Sequence, residues 1–436
     1  MPSTLRVRRW GWLDSLIVTD VQSVVAEAAR AARAAAGSLA AAPAKTIDEA
    51  LRGMARRLDV ARDAVLAANR ADQAAAEESG MSGGLLDRLR LDEARLAAMA
   101  DQLNILADVE PEPARRTIRR LDGGLVLQEW RRPVGVIGAN YEARPNVTVD
   151  VASQLVKSQN GGVLRTGSAA LASAIALMDE VVAPALTEAG LDAAAIQLVR
   201  AKGRGSAEAL VAQPGLIPLV ILRGSGESTR SLAEKAALNG VRTLAHADGG
   251  GVLYLDTAAD RDKAFALIDA GLDRLGVCNR LNLLLVHASL WDGIVPGVVA
   301  GLAGRSPSIA ASLPPHDHPL GYEWALDADR EATVTIAPVD GPLHAARVAN
   351  EETSGLAAGI VTEDGAAARE FLAAYAGTGA FWNATTRLLD GFKLLSVPET
   401  GINIDRVPGP RGPVTFRDLS LRQYAVLPAE HAAALA

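Results

Sequence analysis

Apolar residues recur every three or four positions through the first quarter of the chain. Beyond that they gather into short runs separated by helix-like stretches. Over residues 20–107 the positions Val25, Ala28, Ala29, Ala32 and Ala36, then Leu51, Met54 and Leu58, each mark one face of a helix. Ser82 ahead of 85–89, and Asp92 ahead of Leu96 and Met99, are start signals for further short helices. The pattern predicts an antiparallel helical layer with no chemistry of its own. At residue 117 the texture changes. Residues 117–121 and 125–130 flank Asp122-Gly123-Gly124 and predict a β-hairpin, with Arg119, Arg120, Glu129 and Arg131 pointing outward. A lone hairpin is marginal in water, so this arm is expected to pack on another domain or subunit.

From Val134 short apolar runs alternate with helical stretches. Strands are predicted at 134–138, 162–164, 196–199, 217–222 and 243–246, with Pro218 tolerable only near a strand start. Helices are predicted at 148–156, 169–182, 206–212 and 228–238. That rhythm implies crossover units and a parallel, buried sheet. A second α/β pattern follows Val252. Residues 304–320 read as a loop, and 404–420 as a tail rich in Pro and Arg. The fold class is therefore α/β.

Composition narrows the choices. A length of 436 residues suggests two to three domains. With 49% hydrophobic residues and a net charge of only -7, disorder is excluded for most of the chain. A pI near 5.5 argues against a nucleic-acid surface. A single Cys excludes an internal disulfide and suits a reducing, cytoplasmic setting. No run of about 18 apolar residues is present, so no membrane span is expected. Arg6, Arg8 and Arg9 before the apolar stretch 10–18 faintly resemble a signal peptide. Asp14 interrupts that stretch, which reads as a frayed extension.

The one thiol is Cys278, in Gly276-Val277-Cys278-Asn279 just before the apolar run 281–286. A lone Cys is ordinarily a small buried hydrophobe. Here it stands near the start of a regular element. If that element is a helix, its amides would lower the thiol pKa and receive an oxyanion. Gly224, Ser225 and Gly226 follow a strand and open a helix, where backbone N–H groups can approach a phosphate. A tight strand-to-helix turn explains them equally well. Arg165, at a strand's carboxyl end, and Ser168 could hold a ribose or its 2′-phosphate, or simply be surface residues. No acidic residue follows to hold a ribose diol, which favours NADP over NAD. The six histidines have no metal-ligand spacing, and no HExxH, CxxC, P-loop or GxSxG occurs, so no metal is expected.

The segment Arg132-Pro-Val-Gly-Val-Ile-Gly-Ala-Asn-Tyr-Glu-Ala-Arg-Pro-Asn-Val-Thr-Val-Asp150 resembles the γ-glutamyl phosphate reductase family of the aldehyde dehydrogenase superfamily. Val65 to Asn69, Leu85 to Leu89, Lys157 to Gly167, Val277-Cys278-Asn279, Ile360 to Asp364 and Asn383 to Arg387 agree in family order. The resemblance covers nearly the whole chain after residue 20. It implies an aldehyde-dehydrogenase-like fold with two Rossmann-like parallel-sheet domains and a β-hairpin oligomerisation element. A nucleotide-binding domain would take 1–116 and 133–250, a catalytic domain 251–384, and the arm 117–132 with 400–436. Cys278 matches the nucleophile, which would form a thioester from an acyl phosphate and release an aldehyde after hydride transfer from NADP(H). Asn146 is a candidate for the oxyanion-binding amide, although Glu142 aligns with the superfamily's usual asparagine. Arg165, Ser168, Gly224, Ser225, Gly226 and Glu399 fall at cofactor positions. Glu142, Arg144, Asn279, Asn383 and Arg387 are candidate substrate contacts, and each could equally be structural. A homodimer or homotetramer is implied, with a kinase partner supplying the acyl phosphate.

The chain departs from the family around this nucleophile. Gly161-Gly162 replaces two aliphatic residues, Asn282 replaces a glutamate, and 246–252 loses a polar cluster. His246 stands where thioester-hydrolysing relatives carry a general-base Glu, which a reductase does not need. Three readings stand: reduction of γ-glutamyl phosphate or a close analogue, a paralogue acting on another activated acid, and a silent partner of a glutamate-kinase-like protein.

Overall fold

In the computed structural model the described residues are 21–432 apart from 82, 225, 247, 248, 328 and 408. The arginine-rich N-terminal stretch, Ser82 and Ser225 lie outside them. The helical layer forms as Val21–Ala40, Ala44–Val60, Arg62–Glu78, Gly83–Leu89 and Glu93–Asp108. The Asp92 side chain accepts from Arg95 N–H and so starts the last of these.

Strands β1 (Arg115–Arg120) and β2 (Leu125–Pro133) make the arm hairpin, turned by Gly123 and Gly124 at φ 71° and 75°. Then β3 (Val136–Tyr141), β4 (Gly161–Thr166), β5 (Ile196–Leu198), β6 (Leu219–Arg223) and β7 (Arg242–His246) form a parallel sheet. Its order is β5-β4-β3-β6-β7. The order reverses between β3 and β6, which opens a crevice at their carboxyl ends. Alternate strand residues feed two cores. Val136 and Val163 meet Val25, Ala29 and Ala32 on one face. Ile137 and Leu164 meet the remaining N-terminal helices on the other. Both faces are covered, so the strands read as continuous apolar runs.

A second parallel sheet holds β8 (Gly251–Leu255), β9 (Leu281–His287), β10 (Ala310–Ser312), β11 (Thr333–Val339), β12 (Ala357–Val361) and β13 (Gly379–Trp382). Its order is β10-β11-β9-β8-β12-β13. Helices Arg261–Gly271 and Trp291–Ala303 cover one face, and Pro342–Glu351 and Gly365–Ala374 the other. Next, β14 (Gly401–Asn403) and β15 (Gly412–Val414) pair antiparallel. Finally β16 (Ser420–Pro428) pairs antiparallel with β2 and completes a three-stranded arm.

Several boundaries differ from the sequence expectation for physical reasons. Gly135, at φ 117°, breaks the chain after Pro133, so β3 begins at Val136 rather than 134. The helix expected to stop at 182 continues to Glu188 through a π-helical stretch, Met178–Val182, next to Pro184, which has no N–H to donate. This helix, Ser168–Glu188, reaches a mean hydropathy of 1.6 and is long and apolar enough to cross a membrane. Yet 56% of that window is buried in the protein, and Ser173 is bonded to Asp72 and Asn69. The loop expected at 304–320 contributes the edge strand β10. Of the expected 400–436 arm, β16 joins the hairpin. The part before it packs on the first sheet, where Asn403 Oδ1 accepts from Ala245 N–H at 3.2 Å.

Gly161 shows how tightly the first helix lies on β4. A Cβ there would sit 3.1 Å from Ala36 Cβ and 3.2 Å from the carbonyls of Ala32 and Ala195. Backbone cannot yield as a side-chain tip does, so Gly161→Val should lower unfolding free energy by about 1–3 kcal/mol. Urea denaturation against wild type measures this.

Candidate active site

Cys278 occupies a turn that precedes a strand, not a helix, so the helix-amide activation considered for it does not arise. The turn is instead clamped from several directions. Asn279 Nδ2 donates to Leu389 O at 2.9 Å, and Thr386 Oγ1 donates to Asn279 O at 2.9 Å. Arg387 bonds to Asn279 Oδ1 and to Asp273. Gly250 N–H donates to Cys278 O at 2.6 Å, and Arg88 Nη2 donates to Gly276 O at 3.1 Å. The fully buried Arg280 ties the far side of the turn to the carbonyls of Leu281, Glu331 and Thr333. The thiol is half-buried and packs on one side against Leu356, Phe381, Leu389 and Ile402. Burial first, then the carboxylates of Glu399 and Glu323, push it up to about 12, while Arg144 and Arg223 pull it down.

Three arginines converge beside this turn. Arg88 closes a short helix, Arg144 lies between β3 and the helix Asn146–Lys157, and Arg223 ends β6. Burial and the like charges of Arg223 and Arg88 lower Arg144 to about 10. A cavity of about 280 Å³ at the carboxyl ends of β3, β4 and β6 is lined by all three together with Glu142, Arg165 and Gly224. A second, of about 400 Å³, shares the three arginines and reaches Asn146, Gly276 and Val277. The first cavity lies at the crevice of the first sheet and the second at the cysteine turn, so the arginine cluster links them. Two buried carboxyls border it. Burial pushes Asp150 up to about 6 against the pull of Arg223 and of Asn146, whose Nδ2 donates to Asp150 Oδ2 at 2.9 Å. Burial pushes Glu399 up to about 7. Its Oε2 accepts from Gly391 N–H at 2.7 Å.

The residues singled out in the sequence divide into groups. Cys278, Glu142, Arg144, Asn146 and Glu399 come together. Arg165 faces the first cavity, but its guanidinium is engaged by Ser206 Oγ, Asn140 Oδ1 and Gly203 O at 3.0, 3.2 and 2.7 Å. That uses three of its five N–H donors. Ser168 Oγ accepts from Gly203 N–H at 3.1 Å, so both residues brace the same loop. Gly224 is crowded: a Cβ would lie 3.3 Å from Glu142 Oε1 and 3.4 Å from Thr229 Oγ1. Gly226 opens the helix Gly226–Leu238 immediately after it. A glycine cradle leading into a helix N-terminus beside a crevice fits a dinucleotide phosphate. The side chain of His246 lies outside the described positions.

Asn279 and Arg387, expected at the substrate, hold the cysteine turn instead. Asn383 lies beyond the carboxyl end of β13, while Cys278 lies before the amino end of β9, so the two sit at opposite ends of the sheet. Its amide is bonded to Thr362 N–H and O, each at 3.0 Å, and its φ of 49° reverses the chain toward the turn. Sequence reasoning missed Arg88, Asp150, Arg223, Arg280 and Glu323. Arg88 and Asp150 were inside matched segments, and Arg223 directly precedes Gly224. Nothing local marked Arg280 or Glu323.

With this geometry in hand, comparison with known proteins is informative. The aldehyde dehydrogenase family model matches residues 18–305. The chain is 36% identical to a gamma-glutamyl phosphate reductase of Clavibacter michiganensis over 410 residues, covering 91% of this chain and 92% of that one. It is 37% identical to the enzyme of that name from Sphingopyxis alaskensis, covering 93% and 95%. The solved gamma-glutamyl phosphate reductase of Thermotoga maritima superposes with a TM-score of 0.85 at 27% identity, covering 92% and 98%. An acetylating aldehyde dehydrogenase from Geobacillus thermoglucosidasius shares the fold at 16% identity, with a TM-score of 0.67 and coverage of 93% and 97%.

The buried Glu399 sets a pH signature. Its folded value of about 7 exceeds the ordinary 4.5, so between those values the folded chain holds a proton the unfolded chain has released. Stability therefore falls as pH rises through that window. Glu399→Gln should shrink the wild-type loss of unfolding free energy between pH 4.5 and pH 8 by about 3 kcal/mol. Urea melts at both pH values read it.

Proposed function

The chain belongs to the aldehyde dehydrogenase family and, within it, to the gamma-glutamyl phosphate reductases, and from that membership we propose that it reduces an amino-acid acyl phosphate, γ-glutamyl 5-phosphate or a close analogue, to the semialdehyde. The observation that carries this reading is a lone thiol under the charge of Arg144 and Arg223, on a turn whose Gly276 and Val277 share a cavity with these two and Arg88, a cluster that also borders the crevice of the first sheet.

The parts take their roles from their chemistry. Cys278 attacks the acyl carbon, a C–S bond forms, and the C–O bond to phosphate breaks. A free carboxylate is too poor an electrophile for this step, so the acid must arrive activated, supplied by a carboxylate kinase. Arg88, Arg144 and Arg223 bind the anionic ends of the substrate and receive the departing phosphate. Asn146 keeps one N–H beyond its bond to Asp150 and, with the Cys278 backbone amide, stabilises the oxyanion. Arg144 and Arg223 also favour the thiolate, against the burial and the two carboxylates that raise the thiol.

Gly224 and Gly226 with the following helix cradle the phosphates of NADP(H), Arg165 offers its two remaining donors, and Glu399 lies toward the cysteine side. When bound, the nicotinamide supplies the hydride that takes the thioester to aldehyde. The three-stranded arm exposes Ile118, Leu421, Tyr424 and Val426, and we assign it to a homodimer or homotetramer contact. Light scattering tests that assignment, and a monomeric wild-type chain overturns it.

Cys278→Ser should abolish NADPH oxidation with enzymatically generated γ-glutamyl phosphate, by about 10³-fold or more, while NADPH binding by fluorescence titration stays intact. Equal activity of the two proteins refutes the mechanism. Arg144→Gln should raise KM for the acyl phosphate about tenfold or more, equivalent to about 1.4 kcal/mol, with a smaller change in kcat.

A further inference from the structure

A second carboxylate stands beside the nucleophile, and an unusual clamp puts it there. Glu323 Oε2 accepts from Gly249 N–H at 2.8 Å. A Cβ at Gly249 would lie 2.5 Å from Glu323 Oε1 and 2.7 Å from Cys278 Cβ, so those two atoms are at most about 5.2 Å apart. The buried amide of Asn282 fixes this arrangement from both sides of Glu323. Its Nδ2 donates to Tyr322 O at 2.7 Å and its Oδ1 accepts from Trp324 N–H at 3.1 Å. Asn282 itself belongs to β9, four residues after the cysteine, so nucleophile and carboxylate are referenced to one strand.

We propose that Glu323 is a specificity residue that takes the ammonium group of an amino-acid acyl phosphate reacting at Cys278. This deepens the reductase reading and rests on it. A cavity of about 420 Å³ opens at this point, lined by Gly249, Glu323, Glu352, Thr353, Ser354 and Arg230 among others. Asp327 also borders it and is bonded to Tyr322 and Arg330. An α-amino acid head carries an ammonium and a carboxylate, and the cavity presents Glu323 and Glu352 to the one and Arg230 to the other. The reach agrees. The acyl carbon and the ammonium nitrogen of a γ-linked amino acid are four bonds apart, at most about 5 Å with bonds near 1.5 Å. The phosphate then faces the arginine cluster and the ammonium the opposite wall, so the two charged ends set the direction of binding.

The same contact explains a costly feature. A carboxylate beside a nucleophilic thiol opposes its ionisation, and Glu323 is one of two that do so here, against Arg144 and Arg223. An ammonium seated on Glu323 cancels that opposition, so the thiolate forms where an amino-acid substrate is bound.

The test uses the full chain without turnover. Cys278 is its only thiol, so iodoacetamide alkylation at pH 8, followed by mass spectrometry, reports one site. L-Glutamate and glutarate differ in the ammonium and are compared at equal saturation. The wild type should alkylate about tenfold faster with L-glutamate than with glutarate, the ratio expected for a shift of about one pH unit. Glu323→Gln should alkylate faster than wild type without ligand and lose the ratio. Equal rates in wild type with the two ligands, or a ratio that survives in Glu323→Gln, overturns the proposal. The wild-type comparison needs no variant to fold. Because no hydride or acyl phosphate is involved, this outcome is independent of whether the reductase assay succeeds.

Discussion

The hydrogen bonds that hold the turn from Gly276 to Arg280 are the constraint on which the site depends. A turn outside any sheet or helix has few bonds of its own, and a nucleophile needs sub-ångström placement. Here the main-chain carbonyls of Cys278, Asn279 and Arg280 accept from Gly250, Thr386 and Gly251, and the Asn279 side chain donates to Leu389. The buried Arg280 meets carbonyls from three residues. A buried guanidinium lowered to about 10 by desolvation is a costly way to brace a turn, justified only if every donor finds an acceptor. The clamp draws on the residues around 249, 279, 331 and 386, so it exists only in the assembled second sheet.

Charge is then distributed around that fixed point. Cations come from the first sheet and the helical layer, on Arg88, Arg144 and Arg223. The nearby anions, Glu323 and Glu399, come from loops after the second sheet's strands. A sulfur between opposite fields has an ionisation state that depends on what else is bound. That is a useful property for an enzyme whose intermediate must not form without substrate. It also makes a half-buried thiol raised to about 12 compatible with nucleophilic chemistry, because Arg144 and Arg223 already pull against that rise.

How much of this was legible beforehand follows from the range of each interaction. The parallel sheets were legible because two-sided burial makes each strand an unbroken apolar run, and the hairpin because Asp122-Gly123-Gly124 is local turn chemistry. The position of Cys278 before a regular element was legible, but not that the element is a strand, since a short apolar run has no decisive period. Arg88, Arg144 and Arg223 are far apart in the chain, and only the topology gathers them. Asn279, Asn383 and Arg387 were visible as polar residues in matched segments. Sequence cannot tell a side chain that touches a ligand from one that secures the residue that does. Glu323 sits in a loop without periodicity, and its place depends on an amide forty residues earlier.

The backbone reversal at Asn383 has a consequence for durability. The segment that secures the cysteine turn leaves directly from β13, a marginal strand with a single neighbour, β12. Edge strands open locally at a small fraction of the free energy of global unfolding. Fraying of that margin would release the bonds of Thr386 and Leu389 to the turn and leave those of Gly250, Gly251 and Arg280. The seating of the nucleophile thus draws on four residues at the rim of a sheet as well as on its buried centre.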